Sequence, residues 1–475
     1  MCGIVGVLGN KEVINNIYDS LIIIQHRGQD ASGIVTYSNR FNIKKGEGLV
    51  RDTLGQEDFN YLKGHIGIGH VRYPTLGGMG IENAQPFIST TPYGIAFAFN
   101  GNIINFNSLK ENLEKHDRRI IISTSDAELL LNLLSVEMEK KLDFSPDLLF
   151  EAVKGLFDKV KGSYSAVALI KDKGILAFRD PYGIKPLIFG KKDGSYCVAS
   201  ESVVLDTLGF KTLRDVSPGE AVFFSMEGEL YSRKISEEKH CPCIFEYVYF
   251  ARPDSTIDGI SVYQARLNLG KNLAKEIKKK GIDIDIVVPV PDTSRPVAIS
   301  LAEELNVKYR EGLMKNRYVG RTFIMPHQSK REELIRIKLS PVKEIMKGKK
   351  VLLVDDSIVR GTTSKKIVQL IRDAGAKEVH FASSSPPLKF PCYYGIDMQT
   401  KGEFIACKRS EVKVAEMIGV DSLTYQTVEG LIESVSNGKV KNFCTACFTG
   451  EYPIKANEEE VRKIEAARGC KDIQE

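Results

Sequence analysis

The sequence predicts a two-domain α/β protein, and three observations carry that prediction. Its 475 residues exceed what one hydrophobic core usually serves. Residues 1 to about 230 read as short β-rich segments, among them GIAFAFNGNI, YSAVALI and GILAFRD, with a few helices between them. From about 255 the rhythm changes to strand–helix alternation. IDIVVPVP and GKKVLLVDD are continuous apolar runs ending in polar residues, the pattern of a parallel sheet buried on both faces.

Composition narrows the class. The chain is 43% apolar and 27% charged, without low-complexity tracts or internal repeats, as in an ordinary globular protein. No apolar run approaches the roughly 18 residues of a membrane helix. A net charge of +5, from 66 basic and 61 acidic residues, is too mild to imply a nucleic-acid partner. Nine cysteines without an export signal indicate a reducing, cytoplasmic setting, where cysteine pairs suggest metal or catalysis before disulfides.

The first element, MCGIVGVLGN, is too short in its apolar run for a secretory signal and has no myristoylation pattern. Cys2 at its head has two readings. It is a small buried hydrophobe opening a strand, or, once Met1 is removed, a thiol and a free α-amine on one residue. Such an amine has a pKa of about 7.7–8.0 and acts as a base near neutrality. Next, KEVINNIYDSLIIIQ predicts a helix capped by Asn10, with Val13, Ile14, Ile17, Leu21 and Ile22 on one face. The domain boundaries expected are 1–230, a linker over 231–255, a second domain over 256–440, and a tail over 441–475 that holds a CxxC and a charged helix-like end.

VLLVDDSIVRGTTSKKIVQLIRDAGAK is the most informative stretch. Val351 to Val354 form a buried strand, Asp355 and Asp356 end it, and SIVRGTTS turns into a helix stopping near Gly375. Hydroxyls and backbone N–H groups at a helix N-terminus suit a phosphate monoester. The absence of GxxxxGK[ST] disfavours a nucleotide triphosphatase. The two acids are placed to accept hydrogen bonds from neighbouring sugar hydroxyls. An acidic strand end with a tight turn would explain one aspartate but not the whole run.

This run resembles the phosphoribosyl pyrophosphate motif of type I phosphoribosyltransferases. The resemblance implies a Rossmann-like domain and a ribose-5-phosphate site of Asp355, Asp356, Ser357, Arg360, Gly361, Thr362, Thr363 and Ser364. In PVPDTSRP, Ser294 is a companion to the aspartates for one Mg²⁺, since hard cations prefer oxygen. Between these strands, KNRYVGRTFIMPHQSKREELIRIK carries Lys315, Arg317, Arg321, Lys330 and Arg331. Such a run is usually a solvated face; as a mobile basic loop it would close over a departing pyrophosphate.

In the first half, MCGIVG is accompanied in order by HRGQD, HVRYPT, FNGNI, STSDAE and FRDPYGIKPL. Singly each is weak, and Asn-Gly alone would read as a hairpin turn. Together they resemble class II glutamine amidotransferases, N-terminal-nucleophile hydrolases with an α+β sandwich of αββα layers. The resemblance implies Cys2 as the nucleophile, with Asn100 and Gly101 as the oxyanion hole. Arg72 and Asp126 would bind the glutamine α-carboxylate and α-ammonium, with Arg27 supporting the pocket.

The two halves together imply that glutamine, phosphoribosyl pyrophosphate and water give 5-phosphoribosylamine, pyrophosphate and glutamate, the first committed step of de novo purine biosynthesis. Ammonia would pass through an internal channel formed when the basic loop closes. The alternatives are a phosphoribosyl-pyrophosphate-sensing regulator and another class II amidotransferase. Cys444 and Cys447, with Cys243 and Cys392 at a distance, suit Zn²⁺ or a [4Fe–4S] cluster, and spacing does not separate the two. The resemblance favours the cluster, in a chain where loss of Met1 alone exposes Cys2. Cys241 is an alternative to Cys243. Purine nucleotides as feedback inhibitors and a homo-oligomer, tetramer or dimer, are further expectations.

Overall fold

The computed structural model describes the whole chain except residues 74–79, 142, 317, 319–337, 399, 456–459 and 461–475. The first half is built on two antiparallel sheets. One has seven strands, in the order Lys211–Asp215, Ile188–Lys192, Ser195–Ala199, Gly3–Leu8, Ile66–Arg72, Ala31–Tyr37 and Phe41–Glu47. The other has six: Leu230–Lys234, Glu220–Ser225, Gly174–Arg179, Gly162–Ile170, Ile95–Ile103 and Phe87–Ser89.

Side chains such as Ile4, Val35, Ala98, Val167 and Phe224 pack between the sheets. Helices Ile14–Ile23 and Ser202–Leu208 cover the outer face of the first sheet. Helices Asp126–Glu139 and Pro146–Lys159 cover the second. These are the four αββα layers that the resemblance implied. Gly3–Leu8 is central and buried along its whole length, so Cys2 emerges at the end of a strand fixed on both sides.

Two expectations for the first helix are corrected. It begins at Ile14 and has no side-chain cap. The Asn10 amide instead donates to the Asp193 carbonyl at 2.9 Å, so the neighbouring hairpin claims the group that would have capped the helix. Ile22 is 41% exposed, one step off the stripe of Ile14, Ile17 and Leu21 that meets the sheet. Asn100–Gly101 lies in the middle of strand Ile95–Ile103 and not in a turn, because the chain continues in register against Gly162–Ile170.

The second half is a parallel sheet of five strands, ordered Lys308–Tyr309, Ile286–Pro289, Lys350–Asp355, Glu378–Ser383 and Ser422–Tyr425. Numbered along the chain, that order is 2-1-3-4-5, a doubly wound topology. Its switch point falls between Ile286–Pro289 and Lys350–Asp355, where such sheets bind ligands beyond the carboxyl ends of the strands. The segment before this domain joins both halves. Cys241 and Cys243 N–H groups donate to the Tyr182 and Ile184 carbonyls, while Ile244 N–H donates to the Cys444 carbonyl.

Candidate active sites

At the first site, Cys2 N–H donates to Asn100 Oδ1 at 3.1 Å, which ties the first sheet to the second. The Cys2 thiol lies 3.6 Å from the Tyr73 carbonyl. Asn100 is 1% exposed, and its Nδ2 is a buried donor with no partner among the described residues. A buried donor left unpaired is costly, and one on the side chain that holds the Cys2 backbone is suited to receive an oxyanion.

Gly101 is required by space: a Cβ there would stand 2.0 Å from the Ser163 carbonyl oxygen. Asp126 opens helix Asp126–Glu139, with Oδ2 accepting from Ile103 N–H at 2.8 Å. Arg72 ends its strand at the same edge, beside Gly3–Leu8. Gly28 of the HRG motif is packed against the backbone of Val71 and Arg72, within 2.6 Å of any added Cβ.

Arg27 is fully buried. Its Nε donates to the Cys2 carbonyl at 3.0 Å, and its guanidinium bridges Glu201 at 2.6 Å and Glu246 at 2.7 and 3.1 Å. These pairs hold the guanidinium well above its ordinary pKa against the cost of burial. Glu201 is pulled far below the usual carboxylate range by His26 and Arg27, against its own burial. Sequence reading missed both carboxylates, which lie 174 and 219 residues from Arg27. Met1 is packed inside, its Sδ accepting from buried Lys185 Nζ at 2.8 Å. Burial lowers the pKa of its amine to about 5.

The second half of the chain supplies a wall to this site. Asn102 Nδ2 donates to the Tyr393 carbonyl at 2.8 Å, Ser163 Oγ to the Tyr394 carbonyl at 2.9 Å, and Tyr73 OH to Asp397 Oδ2 at 3.0 Å. Gly395 has φ +87°, and a Cβ on it would come within 3.0 Å of the Gly101 carbonyl oxygen. The glycine after two tyrosines in FPCYYGID was the only signal of this in the sequence.

At the second site, Asp355 Oδ1 accepts from Asp356 N–H at 2.9 Å, and Asp356 Oδ1 accepts the Ser357 hydroxyl proton at 2.7 Å. Burial and mutual repulsion push the Asp355 carboxyl well up; burial pushes Asp356 up to about 6. Helix Thr362–Asp373 follows from Gly361 at φ +74° with no side-chain cap, which leaves its first N–H groups to an incoming anion. Thr362 and Thr363 are exposed, whereas Ser364 is buried. Arg360 pairs with Glu403 at 2.6 Å, and Lys315 with Asp292 at 2.7 Å. Ser294 is fully buried, and its hydroxyl donates to the Val290 carbonyl at 2.5 Å. Arg317, Arg321, Lys330 and Arg331 lie outside the described residues.

Cys243, Cys392, Cys444 and Cys447 share one apolar core. Cys243 and Cys444 form an isolated parallel bridge, Cys444 N–H donates to the Pro242 carbonyl at 2.9 Å, and Tyr394 N–H donates to Cys392 Sγ at 3.3 Å. Burial pushes the Cys243 thiol up to about 12. It raises Cys444 and Cys447 well above the ordinary value, with the neighbouring thiols adding to the effect. Cys241, partly exposed beside them, is raised to about 11 by burial. Among the described residues no three His, Cys, Asp or Glu side chains are grouped closely enough to hold a metal ion.

The fold and its two sites define the class: a glutamine amidotransferase domain joined to a phosphoribosyltransferase domain. The family descriptions "Glutamine amidotransferase domain" and "Phosphoribosyl transferase domain" match residues 78–207 and 259–385. The chain is 48% identical to an amidophosphoribosyltransferase of Pseudomonas aeruginosa, over 98% of this chain and 96% of that protein. It is similar to the solved structure of the glutamine phosphoribosylpyrophosphate amidotransferase of B. subtilis in complex with ADP and GMP. The TM-score is 0.86 at 40% identity, covering 96% and 98% of the two chains. A second structure, described as the allosteric regulatory enzyme of purine biosynthesis, gives a TM-score of 0.88 at 40% identity over 98% and 99%. The chain belongs to the amidophosphoribosyltransferase family.

Proposed function

We infer that this chain makes 5-phosphoribosylamine, pyrophosphate and glutamate from glutamine, phosphoribosyl pyrophosphate and water, at the entry to purine biosynthesis. The observation that carries this reading is the unpartnered, buried Asn100 Nδ2 beside Cys2, in a chain that also holds the acidic strand end and open helix N-terminus of a phosphoribosyl site.

With Met1 removed, the Cys2 amine takes the thiol proton and the sulfur attacks the glutamine side-chain amide. Asn100 Nδ2 and Gly101 N–H receive the oxyanion, Arg72 takes the α-carboxylate bidentately, and Asp126 takes the α-ammonium. Ammonia leaves, and water releases glutamate from the thioester. The ammonia then displaces pyrophosphate from C1 of a phosphoribosyl group whose 5-phosphate sits on Gly361–Ser364 and whose hydroxyls face Asp355 and Asp356. The exposed cations Arg360 and Lys315 have competing carboxylates, so they serve this site only by leaving Glu403 and Asp292.

Two metal groups are expected at these residues. The raised, mutually repelling Asp355–Asp356 pair suits Mg²⁺, which would neutralise charge on the departing pyrophosphate. Ser294, committed to Val290, would have to turn to join them. At the cysteine site, a Zn–S distance of about 2.3 Å would demand sulfurs within about 3.8 Å of one another. The four thiols share one apolar core without being grouped closely enough for a single ion, and a [4Fe–4S] cluster, a structural group rather than a reactant, is the reading they support. ADP and GMP in the B. subtilis relative support feedback by purine nucleotides. No helix of the described residues is long and apolar enough to cross a membrane.

The test is glutamate release by anaerobically purified protein with Mg²⁺, with and without phosphoribosyl pyrophosphate. Strong stimulation with pyrophosphate formed in equal amount is expected. Hydrolysis that ignores phosphoribosyl pyrophosphate, or no hydrolysis by a chain with Cys2 exposed, would overturn the coupled reading in favour of a sensor or an uncoupled glutaminase.

A further inference from the structure

Between the two sites lies a segment that neither mechanism uses. Glu246–Phe250 is a single π-helical turn, closed by Ala251 N–H to the Glu246 carbonyl at 2.9 Å. Such turns are rare and are frequently found at functional positions. At its first residue, the buried Glu246 carboxylate grips Arg27 through two hydrogen bonds, and Arg27 holds the Cys2 carbonyl. The other carboxylate on Arg27, Glu201, also accepts Arg252 N–H at 2.9 Å and the Ser255 hydroxyl at 2.7 Å. Both acids that fix Arg27 are therefore tied to the turn or to the residues just after it.

At the far end stands Arg266, 2% exposed, on helix Val262–Lys280. Its Nε donates to the Tyr247 carbonyl at 2.9 Å, and one terminal nitrogen donates to the Tyr249 and Ala251 carbonyls at 3.2 and 2.8 Å. Among the described residues its hydrogen-bond acceptors are these three neutral carbonyls. Its helix is locked to helix Arg295–Leu305, where a Cβ on Gly270 would stand 2.3 Å from the Val297 carbonyl oxygen, and that helix opens at Ser294 of the second site. The acids whose charge reaches Arg266 are Asp356 and Glu201. A buried cation held by carbonyl dipoles, and facing an acid pair that a ligand would engage, is balanced differently with that pair bare or occupied.

We propose that Arg266 and Glu246 are positioning residues that join the two sites. Arg266 responds to whether the Asp355–Asp356 site is filled, and through the turn Glu246–Phe250 it sets where Arg27 holds Cys2. The inference rests on the coupled reaction proposed above. It requires no new chemistry, only that one short turn has two arrangements of unequal energy in the two ligand states. Coupling of this kind is reciprocal, so glutamine binding would strengthen phosphoribosyl pyrophosphate binding by the same factor.

The experiment measures KM and kcat for glutamine hydrolysis with and without phosphoribosyl pyrophosphate and Mg²⁺ in wild type, Arg266→Met, Arg266→Lys and Glu246→Gln. Phosphoribosylamine synthesis from added ammonia, which bypasses Cys2, reports on the second site alone. In Arg266→Met the stimulation is expected to fall by about tenfold or more, through KM for glutamine, while the ammonia-dependent reaction persists. Arg266→Lys, which keeps a cation and a donor, is expected to recover part of the stimulation. Full stimulation in Arg266→Met, or an ammonia-dependent reaction that falls in parallel, overturns the proposal. Should Arg266→Met not fold, Glu246→Gln decides: lost stimulation supports the relay and intact stimulation ends it. A wild type without stimulation would instead sink the coupled reading itself, so the two failures are distinguishable.

Discussion

Asn100 shows how much one buried amide can be asked to do. Its Oδ1 holds the Cys2 backbone and its Nδ2 is left without a partner, so one side chain both places the nucleophile and offers a donor to the developing oxyanion. Asn100→Ala is expected to lower kcat for glutamine hydrolysis by about 10²–10³-fold with a much smaller change in KM. Steady-state kinetics with saturating phosphoribosyl pyrophosphate would check it, and a change confined to KM would reassign Asn100 to substrate binding. Gly101→Ala should damage the same strand through sterics alone, since its Cβ would overlap the Ser163 carbonyl. At this scale the sequence was legible where local motifs name a residue, and opaque where a partner arrives from far along the chain. Arg27 could be picked from HRG, but nothing local points to Glu201 or Glu246, because a buried ion pair leaves no periodic trace.

The element that rules the second half is the strand–loop–helix unit Lys350–Asp355 to Thr362–Asp373. It was legible because a doubly buried strand must be an unbroken apolar run, and a phosphate loop must use small and hydroxylated residues. The cap of helix Ile14–Ile23 was not legible, since the asparagine positioned to cap it bonds a hairpin nearly two hundred residues away.

The acid pair in this unit sets a pH dependence. A carboxyl whose pKa is raised from 3.8 to about 6 on folding favours the native state below pH 4 and withdraws that advantage as pH rises through 6. Asp356→Asn should therefore raise the melting temperature of the ligand-free protein at pH 7.5, by about 1–3 kcal/mol of stability, with the gain fading below pH 4. Mg²⁺ affinity should fall in the wild type as pH drops below 6, when the pair takes up a proton. Calorimetric titration across pH 5–8 would show this, and a flat profile would place Mg²⁺ elsewhere.

Across the whole molecule, the four cysteines draw the linker, the loop between the strands Glu378–Ser383 and Ser422–Tyr425, and the segment 444–449 into one core. Protein purified without oxygen is expected to carry four irons per chain and a broad absorption band near 400 nm. Cys392→Ser and Cys447→Ser should lose both and melt earlier. One zinc per chain in their place would choose the single-ion alternative. Which four of the nine cysteines would share a core came from the resemblance and not from their spacing, since docking of two domains is written in no single stretch.

The loop Tyr393–Asp397 has one further consequence. With Gly395 pressed on the Gly101 carbonyl, part of the enclosure around the first reaction is owned by the second polypeptide half. Genes that split the chain near residue 238 would leave buried Arg27 without Glu246 and the first site without this wall, so the ammonia released there would escape into bulk water. A small wedge lodged at that seam would likewise stop the glutamine-dependent reaction without resembling glutamine, and would spare synthesis from added ammonia.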